Sequence, residues 1–277
     1  FIYNGPNDNI DTNFLLKKTK SQISIPIKLK QNLNEFQKKI ISQKKIVCIN
    51  IRDNFYYGTS SMSEYRNADI RHCTKAIKYL IKKGYFVIRM GRQTKNKLKI
   101  NSKFFFDYSQ SNLKNDAMDV FIAEACSFCI TSGSGFDSVT RIFRKPTLFV
   151  NFLPYVFFTS DIYNSQVIFK KAYTKKSQRK NLKLKEILKS GIGNLQSDYE
   201  IKKMNVFFKE NNPSEILSAV KEFEVKFKKS ELINLRYDDL DKQFKNIYQT
   251  ELKYTKFIEN HKTIAASVPR FFLKEII

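Results

Sequence analysis

The sequence has no tryptophan, only two histidines and four cysteines, and no apolar run near the roughly 18 residues that a bilayer-spanning helix requires. The last absence excludes a helical membrane span. Two histidines, His72 and His261, leave few ways to assemble a serine-hydrolase triad, and no G-x-S-x-G stretch accompanies them. No G-x-x-x-x-G-K-[ST] run is present, which argues against a P-loop nucleotidase. Cys126 and Cys129 form a C-x-x-C, but Cys48 and Cys73 do not supply the second pair of a zinc site. Where an apolar strand is expected, such cysteines read as small buried hydrophobes, so the chain is expected to be reduced and cytoplasmic. The sequence begins with Phe1 and carries no signal-peptide pattern, and the expectation is a chain whose upstream part is absent.

Positive charge is abundant. Fifty basic residues against 26 acidic ones give a formal net charge of +24. The lysines are spread along the whole chain, without a basic arm, a zinc-finger spacing or an aromatic RNA-binding signature. This reads as a solvated lysine-rich surface with an affinity for phosphates or for the inner face of an anionic membrane, not as dedicated nucleic-acid binding.

From residue 45 onward, strand-like and helix-like runs alternate. KIVCINI (45–51) is a β-branched run expected to be buried on both faces. ADIRHCTKAIKYLIKKG (68–84) spaces Ile70, Cys73, Ile77, Leu80 and Ile81 for one helical face and ends at Gly84. Further strands are expected at 85–91, 104–108, 126–132 and 146–152, with helices around Met118–Ala125 and over 135–145. That alternation predicts an α/β fold: a doubly wound, Rossmann-like parallel sheet with C-terminal helices. Beyond residue 152 the strand signal fades, 170–190 reads as loops with a short helix, and helices are expected over 211–227 and from about 238 to 260. Residues 1–44 are expected to be the remnant of an upstream domain with its connecting helix, and 45–277 the Rossmann-like domain.

Two loops at the carboxyl ends of the expected strands stand out. Ser132-Gly133-Ser134-Gly135 runs from a strand into a helix, so backbone N–H groups and the helix dipole converge on one spot. Thr131, Ser132 and Ser134 add hydroxyls, and bare backbone there suits a phosphate. The competing reading is a strand-to-helix turn that binds nothing. GSGFDS satisfies only two places of the dinucleotide motif and follows the fourth strand, which disfavours a nicotinamide dehydrogenase. The other loop opens with Arg52-Asp53, and a guanidinium there would face the same crevice. Alternatively, Arg52 pairs with Asp53 or Glu64 to tie down its loop. Tyr65, Arg66 and Asn67 close that loop with groups suited to a nucleotide or sugar.

INIRDNFYY, YRNADI, AIKYLIKKGYFVIRMG and CITSGSGFDSVTRIFRKPTLFVNF together resemble a largely uncharacterised group of bacterial glycosyltransferases of the GT-B type, over roughly residues 45–277. The strand-Arg loop is more remotely similar to the nucleotide-sugar motif of fucosyltransferases, with Asn50 where that motif carries histidine. The resemblance implies the nucleotide-sugar-binding half of a GT-B enzyme of cell-surface polysaccharide or glycoconjugate synthesis, with no metal and no cofactor. Its donor would be a nucleoside-diphosphate sugar and its acceptor a glycan or glycoconjugate. Carried onto this chain, Arg52 neutralises the leaving diphosphate and Ser132 to Gly135 hold its oxygens, while Tyr65, Arg66 and Asn67 complete the donor pocket. Asp53, Glu64 or a carboxylate of the upstream domain is left as the base, and Asp137 either contacts a sugar hydroxyl or complements the helix dipole. A non-catalytic nucleotide- or phosphosugar-binding module, or a basic protein that binds RNA or a membrane surface, are the alternatives.

Overall fold

The computed structural model describes residues 15–53, 55, 63–92, 94–158, 162–175, 180–232, 238–251 and 266–277. Helices α1 (Leu15–Lys18), α2 (Ile27–Gln31) and α3 (Glu35–Ile41) precede strand β1 (Ile46–Asn50). Then follow α4 (Thr74–Lys82), β2 (Phe86–Arg89), β3 (Phe105–Asp107), α5 (Asp116–Ala125), β4 (Phe128–Thr131), α6 (Gly135–Ile142) and β5 (Thr147–Phe152). Strands β6 (Ser165–Phe169) and β7 (Lys171–Thr174), helices α7 (Leu184–Lys189) and α8 (Asp198–Lys203), strand β8 (Val206–Lys209) and helices α9 (Pro213–Lys228), α10 (Asp239–Glu251) and α11 (Arg270–Ile276) complete the chain.

Strands β1 to β6 form one parallel sheet in the order β3-β2-β1-β4-β5-β6. The fold is α/β and Rossmann-like, and the order reverses direction between β1 and β4. Alternate residues face opposite sides of a strand, which sorts the core into two layers. Val47, Ile49, Val87, Phe128 and Ile130 face α4 and α9, while Ile46, Cys48, Ile88 and Cys129 face α3 and α5. The α4 stripe of Ala76, Ile77 and Leu80 is buried, and each large side chain so covered contributes roughly 1.5–3 kcal/mol. All four cysteines are free and buried, and Cys48, Cys126 and Cys129 share the second layer.

Helix α9 starts as its sequence dictates: Asn212 accepts the Ser214 and Glu215 N–H groups, and Glu215 accepts the Asn212 N–H at 2.8 Å. The amphipathic run from 238 is helical as α10 to Glu251, while residues 252–260 of that expectation, and His261, lie outside the described residues. The fading strand signal after 152 misled: β6 is a sixth parallel strand, and β7 and β8 form an antiparallel pair. SQVIF has only three apolar residues, and the lysine that follows, Lys170, is nevertheless buried. Among the described residues, no helix is long and apolar enough to cross a membrane.

Candidate functional site

The last residues of β1 and β4, Asn50 and Thr131, lie side by side in register, so the loops after both strands leave the sheet at its switch point. Each loop is tied to the other. Ser132 Oγ accepts the Arg52 N–H at 2.8 Å, and Asn50 Nδ2 donates to Ser134 Oγ at 2.5 Å. Asn50 therefore fastens β1 to the cap of α6. Arg66 donates to the Gly133 carbonyl at 2.6 Å, and Arg52 O accepts the Ala68 N–H at 2.9 Å, which brings the third segment in.

Asp137 holds the turn from inside. It is buried and accepts from the Ser134 N–H and from Thr131 Oγ1, which in turn accepts the Gly133 N–H at 3.1 Å. Burial pushes its carboxyl above the usual range, while Arg141, the Ser134 N–H, Thr131 and Arg66 pull it back. Of its two sequence readings the geometry supports the second: a first-turn carboxylate that complements α6. Thr131 and Ser132 are likewise buried, so their hydroxyls shape the loop from within.

The sequence reading that Ser132 to Gly135 all hold phosphate oxygens is cut back: the N–H groups of Ser132, Gly133 and Ser134 are taken by the Asn50 carbonyl, Thr131 Oγ1 and Asp137, which leaves the start of α6 at Gly135. Gly133 has φ +81°, a conformation glycine adopts freely and other residues do not. A Cβ at Gly135 would meet nothing within 4 Å, and Gly135 opens α6, whose first N–H groups have no intrahelical acceptor. Gly133→Ala is accordingly expected to destabilise the fold by about 1 kcal/mol or more. Gly135→Ala should stay within about 0.5 kcal/mol of the parent while taking space from bound ligand. Thermal unfolding together with phosphate-ligand titration of both variants separates the two roles.

The start of α6 lines a cavity of about 360 Å³, with Asn50, Ile51, Arg52 and Asp53 on one side and Ser134, Gly135, Phe136 and Val139 on another. The remaining wall, Met90, Gly91, Arg92, Thr94 and Asp119, was not anticipated from the sequence. Its signal lay in Gly91-Arg92 immediately after the second strand: Gly91 has φ +141°, and a Cβ there would fall 2.7 Å from Thr94. Asp119 is raised by burial and drawn back by Tyr108 and Arg92. Asp53 accepts backbone N–H groups of Phe55 at 3.1 Å and Lys95 at 3.0 Å, so its carboxylate ties its own loop to the β2 loop.

Glu64, Tyr65 and Asn67 line a different cavity, of about 440 Å³, with Lys170, Asp198 and Glu210. The structure thus distributes the residues that the sequence grouped in one donor pocket over two cavities, with Arg66 reaching back to the Gly-Ser loop. Asp198 accepts the N–H groups of Glu64 and Tyr65 at 2.8 and 2.9 Å, Glu210 accepts that of Asp69 at 2.8 Å, and Lys170 donates to the Asn67 carbonyl. These three side chains anchor the segment that presents Arg66. Burial pushes the Lys170 ammonium down to about 8 from 10.5, against the opposing pull of Glu210 and Asp198. Between those two values the unfolded chain binds more protons than the folded one, so the contribution of Lys170 to stability rises with pH across that window. Denaturant unfolding of the parent and Lys170→Met should show their difference moving in favour of the parent from pH 8 to 10.5.

Among the described residues no group of three or more histidine, cysteine or carboxylate side chains could hold a metal ion. Asp239-Leu240-Asp241 spells a D-x-D, but it opens α10, where Asp239 pairs with Lys242 and Asp241 accepts the Asp238 N–H. No family model matches the chain, and no curated protein or solved structure matches it either.

Proposed function

We propose that the cleft between β1 and β4 binds the diphosphate of a nucleoside-diphosphate sugar, and that the protein transfers the sugar to a hydroxyl of a glycan or glycoconjugate acceptor. The observation that carries this reading is the meeting, on one cavity at the sheet's switch point, of Arg52, Arg92 and the first turn of α6 at Gly135 and Phe136. Ile51, Met90, Phe136 and Val139 give the same cavity an apolar wall on which a base or sugar ring would pack. The sequence resemblance to GT-B enzymes supports the sugar-nucleotide part of the reading and the link to cell-surface polysaccharide.

In the transfer, the bond between the anomeric carbon and the β-phosphate oxygen breaks as the acceptor oxygen bonds to that carbon. Negative charge grows on the departing diphosphate, where fixed guanidinium and backbone donors stabilise it more than they stabilise the bound donor. The acceptor proton passes to a carboxylate. Asp53 and Asp119 line this cavity, whereas Glu64 lines the other. One observation favours a second reading, a binding module without turnover: the Asp53 carboxylate already accepts two backbone N–H groups, which commits it to holding its loop.

Calorimetric titration with nucleoside diphosphates tests the first part, with saturable binding expected and no heat above dilution as the result that refutes it. Release of nucleoside diphosphate from a sugar donor separates an enzyme from a binding module.

A further inference from the structure

The proposed diphosphate cavity is lined by Arg52 and Arg92, which suit an anion, and by Asp53 and Asp119, which do not. A carboxylate and a diphosphate confined to one cavity of about 360 Å³ repel each other. A proton taken by one partner relieves that repulsion. The two carboxylates differ in how readily they can take it.

Asp53 has both oxygens engaged: Oδ1 accepts the Phe55 N–H at 3.1 Å and Oδ2 the Lys95 N–H at 3.0 Å. A proton on either would compete with a bond that holds its loop in place. Asp119 is placed otherwise. It stands in the first turn of α5, half-buried, and the groups that act on its carboxyl are the Tyr108 hydroxyl, Asp116 on its own helix and Arg92 from the loop after β2. Tyr108 is itself buried and accepts the Asn115 N–H at 3.1 Å, which fixes it against the start of the helix. Arg52 and Asp53 complete the charged lining from the loop after β1, and α6 contributes Ser134, Gly135, Phe136 and Val139, none of them ionisable at neutral pH. Burial moves the Asp119 carboxyl toward its neutral form; Tyr108 and Arg92 oppose that and Asp116 adds to it. A bound diphosphate acts in the same direction as burial.

We propose that a diphosphate enters this cavity together with one proton, which the Asp119 carboxylate takes from solvent to become a neutral carboxyl that can donate to a phosphate oxygen. This inference rests on the proposed diphosphate site and adds its regulation. Between the values of Asp119 in the free and the bound protein the complex holds the extra proton, so affinity falls as the pH rises, by up to about 10-fold per pH unit. Neutral in the complex, Asp119 is excluded as the base of the transfer, and the acceptor proton goes to another carboxylate.

The variant that removes the charge is expected to bind better than the parent. With inorganic pyrophosphate, uridine diphosphate and guanosine diphosphate as probes, calorimetry should give Asp119→Asn an advantage of about 10-fold near pH 8 that closes toward pH 5. Asp119→Ser should behave in the same way. In buffers of different ionisation enthalpy near pH 6 the parent should take up more protons per ligand than Asp119→Asn, by up to about one. Titration of the free probes is common to both proteins and drops out of that difference, and phosphorus NMR of the bound probe tells whether the proton sits on phosphate instead. Asp116→Asn removes an equal charge from the same helical turn, at an exposed position that does not line the cavity, and should change affinity by no more than about 2-fold. Absence of saturable binding with all three probes overturns the diphosphate site and this inference with it. Saturable binding with equal proton uptake in parent and Asp119→Asn overturns this inference alone. The same holds for weaker binding by Asp119→Asn near pH 8, an equal gain in Asp116→Asn, or a proton found on the bound phosphate.

Discussion

Arg52→Ala is expected to weaken nucleoside-diphosphate binding by about 10- to 100-fold, the loss of one or two charge-assisted hydrogen bonds of roughly 1.5–3 kcal/mol in total. Arg52 is pinned on both sides of its Cα, by its N–H on Ser132 Oγ and its carbonyl under the Ala68 N–H. The backbone that presents the side chain is therefore fixed, and truncating the side chain removes a cation from the cavity wall. Turnover should fall further than affinity, on the order of 100-fold or more, because charge on the diphosphate is greatest as the sugar leaves. Arg52→Lys should recover part of the affinity and less of the turnover, since a point charge replaces a planar fork. Calorimetry gives the first quantity and release of nucleoside diphosphate the second. Unchanged affinity in Arg52→Ala would remove the cavity's main cation from the argument, and with it the proposed diphosphate site.

Arg66 provides the contrast. Its guanidinium is committed to the Gly133 carbonyl, and the segment bearing it is anchored by Asp198, Glu210 and Lys170. It shapes the Gly-Ser loop from behind, while Arg52 and Arg92 line the cavity itself. Two arginines that look equivalent in the sequence thus act on the site in different ways.

The sheet was readable because β1, β2, β4 and β5 are apolar runs buried along nearly their whole length, so local pattern and burial agree. β6 was not, since it opens with Ser165 and Gln166 and is followed by Lys170, polar residues that are nevertheless buried; a lysine at the end of a three-residue apolar run looks like surface. Within the site, the glycines were the legible part: Gly133 marks a turn with positive φ and Gly135 the start of α6. Side-chain partnerships between distant segments were not, because nothing local couples Asn50 to Ser134 or Glu210 to Asp69, 84 and 141 residues apart. The same limit hid Arg92 and Asp119, which reach the cavity only through the β2 and β3 crossovers.

The wall carrying Arg92 depends on a buried ion pair, and Asp107→Ala should be the most damaging single change there. Arg89, the last residue of β2, is 2% exposed, and its Nη1 lies 3.0 Å from Asp107 at the end of β3, whose other oxygen accepts Ser109 Oγ at 2.6 Å. Removing the carboxylate leaves a guanidinium that cannot lose its charge enclosed between strands, at about 3–5 kcal/mol. In a chain of this size that corresponds to a fall in melting temperature on the order of 10 °C. Asp107→Asn, which keeps an acceptor and loses the charge, should fall in between. Arg89→Met combined with Asp107→Leu should recover most of the loss, because an apolar pair needs no compensation there, and the resulting cycle isolates the coupling of the two groups. Denaturant unfolding of the parent, Arg89→Met, Asp107→Leu and the double variant measures it, and a loss below about 1 kcal/mol in Asp107→Ala would mean that water reaches Arg89. Because Met90, Gly91 and Arg92 follow Arg89 directly, nucleotide affinity in the folded fraction of Asp107→Ala should drop as well, and the double variant Arg89→Met, Asp107→Leu should restore both properties together.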